Sequence, residues 1–135
     1  MKVVREETLP IREKADIVRI RQQVRAWTGE LGFGLVEQTK MITAASELAR
    51  NTLDHGAGGH VEIRDLSDGE RRGLRLVFAD EGPGIADLQI ALQDGYTTGT
   101  GMGLGLSGAK RLVNDFEIES EPGQGTTVTI TRWLT

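Results

Sequence analysis

The apolar pattern of this sequence predicts an α+β domain: a two-layer α/β sandwich in which a mixed, mostly antiparallel sheet carries its helices on one face. Two long segments repeat apolar residues every three or four positions, and later segments alternate every second position. The two kinds occur in separate runs, as they do when helices cover one side of a sheet. With 135 residues there is material for one core, so 1–135 is expected to be a single domain.

The first element is an edge strand over Val3 to Ile11, where β-branched and charged residues mix and Pro10, with no N–H for a ladder, ends the run. Ile17, Ile20, Val24, Trp27 and Leu31 then form one stripe, a helix with Asp16 placed to cap its start and Gly32 to stop it. A second helix runs from Val36 to Asp54, free of proline and glycine and carrying Met41, Ala44, Ala45, Leu48 and Ala49 at helical spacing. His55-Gly56 closes it. Period-two alternation starts after Gly59: His60 to Arg64 and Leu74 to Ala79 read as antiparallel strands joined by a Ser67-Asp68-Gly69 turn. A short helix around Asp87 to Leu92, a glycine-rich segment and a helix from Leu104 to Val113 follow. Phe116 to Glu121 and Thr126 to Trp133 are the last strands, joined by Pro122-Gly123-Gln124-Gly125.

Composition removes several classes of function. Hydrophobic residues at 38% and charged residues at 27% describe a globular protein. No apolar stretch approaches the roughly 20 residues that span a bilayer, and the start, MKVVREETLP, has no apolar signal core. With Cys 0 there is neither a disulfide framework nor a thiolate metal site, and a cytoplasmic location is expected. A net charge of -4 with interspersed signs lacks the basic footprint of a nucleic-acid binder. No membrane partner is expected either. Against this ordinary background stand 18 glycines, clustered at 56 to 59, 82 to 84, 99 to 108 and 123 to 125. Flexible linkers are one reading, but two of the clusters run directly into apolar-periodic segments.

Four places carry candidate chemistry. Glu47 and Asn51, four apart on the second helix, share a face. A carboxylate beside an amide suits the orientation of a hydroxyl together with Mg²⁺, though the same pair also describes a solvated helix face. Asp80-Glu81-Gly82-Pro83-Gly84-Ile85 follows a strongly apolar strand. Its aspartate can accept a hydrogen bond from an exocyclic amine such as that of adenine, and its glycines let a ring approach the backbone; it is equally a plain turn. Gly99 to Gly108 leads into a helix whose free N–H groups favour anions, a natural phosphate cradle. Gly103-Leu-Gly105-Leu-Ser-Gly108 also fits G-x-G-x-x-G, but no strand precedes it, and Lys110 does not complete a Walker motif. The fourth place is Gly123-Gln-Gly125-Thr126, by itself a hairpin, whose threonine hydroxyl is placed to reach a base edge directly or through water.

Taken in order, Glu47-x-x-x-Asn51, Asp80-x-Gly-x-Gly84, Gly99-x-Gly-x-Gly-x-Gly105 and Gly123-x-Gly-Thr126 resemble the N, G1, G2 and G3 boxes of the GHKL ATPase superfamily, which includes gyrase, Hsp90, MutL and histidine kinases. The boxes cover most of the chain. The resemblance implies the Bergerat ATP-binding fold, with ATP and Mg²⁺ as cofactors. A free-standing domain with a short lid is similar to the bacterial serine/threonine kinases of the anti-sigma and stress-signalling branch. Leu9-Pro-Ile-Arg12, Asp16-Ile-Val-Arg19, Ala44 to Asn51 and Thr52-Leu-Asp-His-Gly56 resemble its stressosome switch kinases most.

By that resemblance the substrate is a serine or threonine of a STAS-domain scaffold protein, and the released kinase activates a PP2C-type phosphatase. The alternative within the branch is an anti-sigma factor that sequesters a sigma factor and phosphorylates its STAS-domain antagonist. A nucleotide sensor without transfer activity is a third reading, disfavoured by the joint presence of Glu47 and Asn51. Glu47 is implied as the base that orients the substrate hydroxyl, Asn51 as the Mg²⁺ ligand and Asp80 as the adenine anchor. Gly82, Gly84 and Ile85 are implied beside the base, and Thr126 completes the adenine site. Gly99, Gly101, Gly103, Leu104, Gly105 and Leu106 are implied around the phosphates. Outside the boxes, His55 reads as a helix-capping group and Arg50 as a surface or phosphate-facing cation. Tyr96 and Thr97 fall in the lid, and Trp27 and Trp133 read as core or interface aromatics.

Overall fold

A computed structural model describes residues 1–84 and 104–134, the side chains of 104 and 105 excepted. The expected short helix near 87–92, Tyr96, Thr97 and the lid glycines Gly99, Gly101 and Gly103 lie outside the described residues, as does Ile85. The elements run β1 (Lys2–Ile11), α1 (Lys14–Leu31), α2 (Leu35–Asp54), β2 (Gly59–Ser67), β3 (Arg72–Asp80), α3 (Leu104–Arg111), β4 (Asp115–Ser120) and β5 (Thr126–Trp133). The described strands form one sheet in the order β1-β2-β3-β5-β4. All four pairings are antiparallel, where the sequence allowed a mixed sheet.

The α1 stripe buries Ile20, Val24 and Trp27. Its start corrects the expected cap: Glu13 holds the N-cap position. Asp16 lies three residues further in, accepting the N–H groups of Arg12 at 2.8 Å and Glu13 at 3.1 Å through Oδ2. The carboxylate still satisfies orphan donors at the helix start, from inside the first turn. Gly32 ends α1 in the left-handed conformation at φ 91, while Phe33 N–H reaches Thr28 O at 3.0 Å. Two buried threonines, Thr28 and Thr52, return their hydroxyls to the carbonyls of Val24 at 2.7 Å and Leu48 at 2.9 Å.

Met41, Ala44, Ala45, Leu48 and Ala49 of α2 are all buried, and the alanines let the helix lie close over the sheet. Beneath it are Ile11 from β1, Val61 and Ile63 from β2, Leu74, Leu76 and Phe78 from β3, and Val128 and Ile130 from β5. Leu106 and Ala109 of α3 close one side of this core. Alternate residues of the same strands, Glu62 and Arg64, Arg75, Thr127 and Thr129, face away from it. The result is the two-layer arrangement, with its helices on one face. Pro10 does not end β1 but pairs with His60 inside the ladder, a place the edge position permits because no other described strand pairs with the outer side of β1.

Candidate nucleotide site

Three of the glycine clusters, distant in sequence, meet at one end of the sheet. β3 delivers Asp80 there, and its Oδ1 accepts the N–H of Gly82 at 2.9 Å and of Thr126 at 3.1 Å. The first bond folds the 80–84 turn back on the strand end; the second ties that turn to the start of β5. Gly123 N–H adds a bond to the Pro83 carbonyl at 2.7 Å. This interlocking requires glycine. Gly84 and Gly125 lie at φ +78 and +82, and a side chain at either would strike backbone, the Glu121 carbonyl in one case and the Asp80 carbonyl in the other.

Asn51, in the last turn of α2 and four residues before the His55 cap, looks toward the same place. Asn51, Asp80, Leu106 and Thr126, from α2, β3, α3 and β5, line one small cavity with Phe78 and Val128. Its volume of about 20 Å³ has room for about one water molecule. Apolar walls with a few convergent polar groups are the usual make-up of a small-molecule site. Asn51 Nδ2 is buried and without a hydrogen-bond partner among the described residues. A buried amide donor left unpaired costs on the order of 1–3 kcal/mol, so the site calls for an acceptor there, such as a phosphate or ring atom. The amide oxygen is the atom of this side chain able to ligate a cation.

Among the described residues no group of three or more His, Asp or Glu side chains is gathered for a metal. An amide oxygen is a hard donor of the kind Mg²⁺ takes beside water and phosphate oxygens, so the Asn51 side chain has the chemistry to hold that ion. The nucleotide fit is carried by the acceptor-only face of Asp80, whose Oδ2 has no donor among the described residues.

Of the sequence-derived site residues, Asn51, Asp80, Leu106 and Thr126 are brought together, and Gly82 and Gly84 shape the turn beside them. Leu104 and Gly105 begin α3. Glu47 stands one helical turn from Asn51, outside the small cavity and partly exposed, with its Oε1 3.3 Å from Arg50 Nη1. Arg50 therefore answers Glu47 directly. His55 occupies the C-cap of α2, its backbone N–H on the Asn51 carbonyl at 3.0 Å. The Thr126 hydroxyl is 2.8 Å from Ser120 Oγ, and Ser120 in turn donates to the Gly125 carbonyl at 3.0 Å. Two participants escaped the sequence reading. Ser120 ends an otherwise ordinary alternating strand and gives no signal. Gly56 lay in a recognised glycine cluster, but only the fold shows that it abuts the Asp80 carboxyl.

Residues 36–134 match the model of the histidine kinase-, DNA gyrase B-, and HSP90-like ATPase family. The serine/threonine-protein kinase RsbT of Bacillus subtilis is 42% identical over 119 residues, covering 88% of this chain and 90% of that protein. An anti-sigma F factor of Shouchella clausii is 34% identical over 123 residues, covering 85% of this chain and 82% of the relative. Among solved structures, the RsbU and RsbW domains of a Mycobacterium tuberculosis protein superpose with a TM-score of 0.66 at 22% identity, over 98% of this chain and 34% of that one. A mycobacterial sensor histidine kinase, MprB, gives 0.58 at 19% identity, over 96% and 97%. At those identities the two structures speak for the fold alone.

Proposed function

Because the chain belongs to the histidine kinase-, DNA gyrase B-, and HSP90-like ATPase family, we propose that it is an ATP-dependent serine/threonine protein kinase of a partner-switching module. Its substrates are STAS-domain proteins, and its release onto a PP2C-type phosphatase is the output. The relative named as a serine/threonine kinase, at 42% identity, favours this over the anti-sigma reading, whose relatives stand at 29–34%. The observation that carries the site assignment is the buried Asn51 amide, without a partner among the described residues, opening on a cavity shared with Asp80 and Thr126.

In this reading Asp80 selects the base by accepting from its exocyclic amine, held rigid by the N–H groups of Gly82 and Thr126. The Thr126 oxygen sits beside it, its proton turned to Ser120 because the single Ser120 proton is committed to the Gly125 carbonyl. Asn51 meets the nucleotide from the helix side. Mg²⁺, when bound, neutralises phosphate charge. Glu47 takes the proton of the acceptor hydroxyl as its oxygen bonds to the γ-phosphorus and the bond to the β,γ-bridging oxygen breaks, ADP leaving. Such a transfer depends mainly on positioning and charge neutralisation, so a domain of this size suffices.

The test is incubation with labelled Mg·ATP and a panel of STAS domains. Wild type is expected to place label on a serine or threonine. Glu47→Gln is expected to lower kcat by about 10²–10⁴ with ATP affinity retained. Asp80→Asn is expected to weaken ATP binding by roughly 10- to 100-fold, the worth of a hydrogen bond to a charged acceptor. Absence of label on every STAS domain, or full transfer by both variants, would sink the proposal.

A further inference from the structure

We propose that Gly56 is a specificity-determining position, setting adenine selectivity by making room for the Asp80 carboxylate. The inference rests on the reading of Asp80 as the adenine anchor. A methyl group added at Gly56 would stand 2.5 Å from both Asp80 Cβ and Oδ2 and nearer still to Cγ, closer than carbon atoms approach in folded proteins. Neither side is free to yield. Asp80 has a single-methylene side chain, and its Oδ1 is pinned by two backbone N–H groups. Gly56 is buried, its N–H is bonded to the Asn51 carbonyl at 3.2 Å, and a Cβ at Gly82 would lie 2.6 Å from its Cα, so the two backbones are already packed together.

The oxygen most affected is Oδ2, the one with no donor among the described residues and hence the one open to a ligand amine. A side chain at 56 covers that oxygen or swings the carboxylate away from Gly82 and Thr126. Either outcome removes the acceptor that distinguishes adenine, with its exocyclic amine, from guanine, which presents a carbonyl oxygen at the corresponding position. Backbone preference does not confuse the matter, because Gly56 is not among the glycines with positive φ. The three atoms nearest to an alanine methyl there, Cβ, Cγ and Oδ2, all belong to the Asp80 side chain. Gly56 thus links the end of α2, where Asn51 lies four residues before His55, to the base-reading strand end.

The experiment measures binding of ATP and GTP by calorimetry, with Tm beside it, for wild type, Gly56→Ala, Asp80→Ala and the double variant. Gly69→Ala serves as a control for a merely destabilised domain, since Gly69 has φ +95 and open space around it. Wild type is expected to prefer ATP. Gly56→Ala should lose about 10- to 100-fold in ATP affinity and most of the ATP-over-GTP preference, while Gly69→Ala lowers Tm and leaves the preference intact. In the double variant the carboxyl is gone, so alanine at 56 should cost no further selectivity, and the Tm lost in Gly56→Ala should be partly recovered. If Gly56→Ala fails to fold while the double variant folds, the collision is supported. Wild-type affinity and preference in Gly56→Ala, selectivity losses that simply multiply in the double variant, or failure of both to fold would overturn the role of Gly56. Retention of the ATP preference by Asp80→Ala would instead overturn the adenine-anchor reading beneath it.

Discussion

Asp16 illustrates how much one carboxylate organises at the residue scale. Beyond the N–H groups of Arg12 and Glu13, it holds the Arg19 guanidinium at 2.6 Å through Oδ1. The Arg12 N–H is the strongest influence holding its pKa below the ordinary aspartate value; burial opposes it, and the Glu13 N–H and Arg19 add to the lowering. Asp68, in the turn between β2 and β3, is lowered to about 2, first by the N–H of Arg71, then by that of Glu70 and the Arg71 side chain. Because both folded-state values are depressed, the stability they supply is fully present above their ordinary values and is lost as pH falls through the folded ones. Asp16→Asn is therefore expected to lower Tm by a few degrees at pH 7. The gap to wild type should narrow as an acid titration followed by circular dichroism passes below pH 3.8. A gap that stays constant to pH 2 would reject the assignment. At this scale the sequence indicated a helix start at the right place but misassigned the position of Asp16 within it, since Ser, Asn and Asp serve at the N-cap and Asp also at N3. Which one applies depends on the entry angle of the chain from β1, a tertiary fact.

Strands β3 and β5 behave differently at their two ends, which is an element-scale property. At the Asp80 end they are tied by glycine turns and one aspartate. At the other end Gly73 pairs with Trp133, and the indole lies so close over the glycine that a Cβ there would be 2.6 Å from its ring. The indole Nε1–H donates to Asp115 Oδ2 at 3.0 Å, and the Arg71 guanidinium lies 4.2 Å from the ring centroid. This end is a packing device, joining β3, β4 and β5 around an aromatic. Trp133→Ala should cost about 3–5 kcal/mol of unfolding free energy by urea denaturation, the usual loss for a buried large aromatic. ATP affinity in the folded fraction should be unchanged, because the site lies at the opposite end; a large loss of affinity would show that the two ends are coupled. The element boundaries themselves were largely readable. Gly32 and His55-Gly56 closed the helices as read, and the Ser67-Asp68-Gly69 turn joined the expected hairpin. The first strand was rightly read as an edge, but Pro10 was misread as its end, because the register that pairs Pro10 with His60 is invisible before the neighbouring strand is known.

What no local pattern conveys is the sheet order over the whole molecule. The β2–β3 and β4–β5 pairings come from short turns, but β1 reaches β2 across both long helices, and β5 inserts between β3 and β4. That insertion brings Thr126 to Asp80 and, with them, the convergence of the 56–59, 82–84 and 123–125 clusters. The 82–84 cluster was read as a place of close approach to the backbone, Gly56 as a helix end and 123–125 as a hairpin turn; their meeting was not legible. The site is thus assembled from segments that separate completely on unfolding, and the buried Asn51 Nδ2 within it has no partner among the described residues. A nucleotide that binds only this assembled state must stabilise the entire domain by mass action. At a free concentration one hundred times Kd the gain is about 2.7 kcal/mol, several degrees of Tm for a chain of this length. Thermal melts across an Mg·ATP series should follow that logarithmic dependence. Asp80→Asn should displace the curve to roughly 10- to 100-fold higher nucleotide without altering the melt in its absence by a comparable amount. Trp133→Ala should do the reverse, lowering every Tm while keeping the nucleotide-dependent increment. If the increment were equal for wild type and Asp80→Asn, nucleotide would be binding somewhere other than the end of the sheet where the three glycine clusters meet.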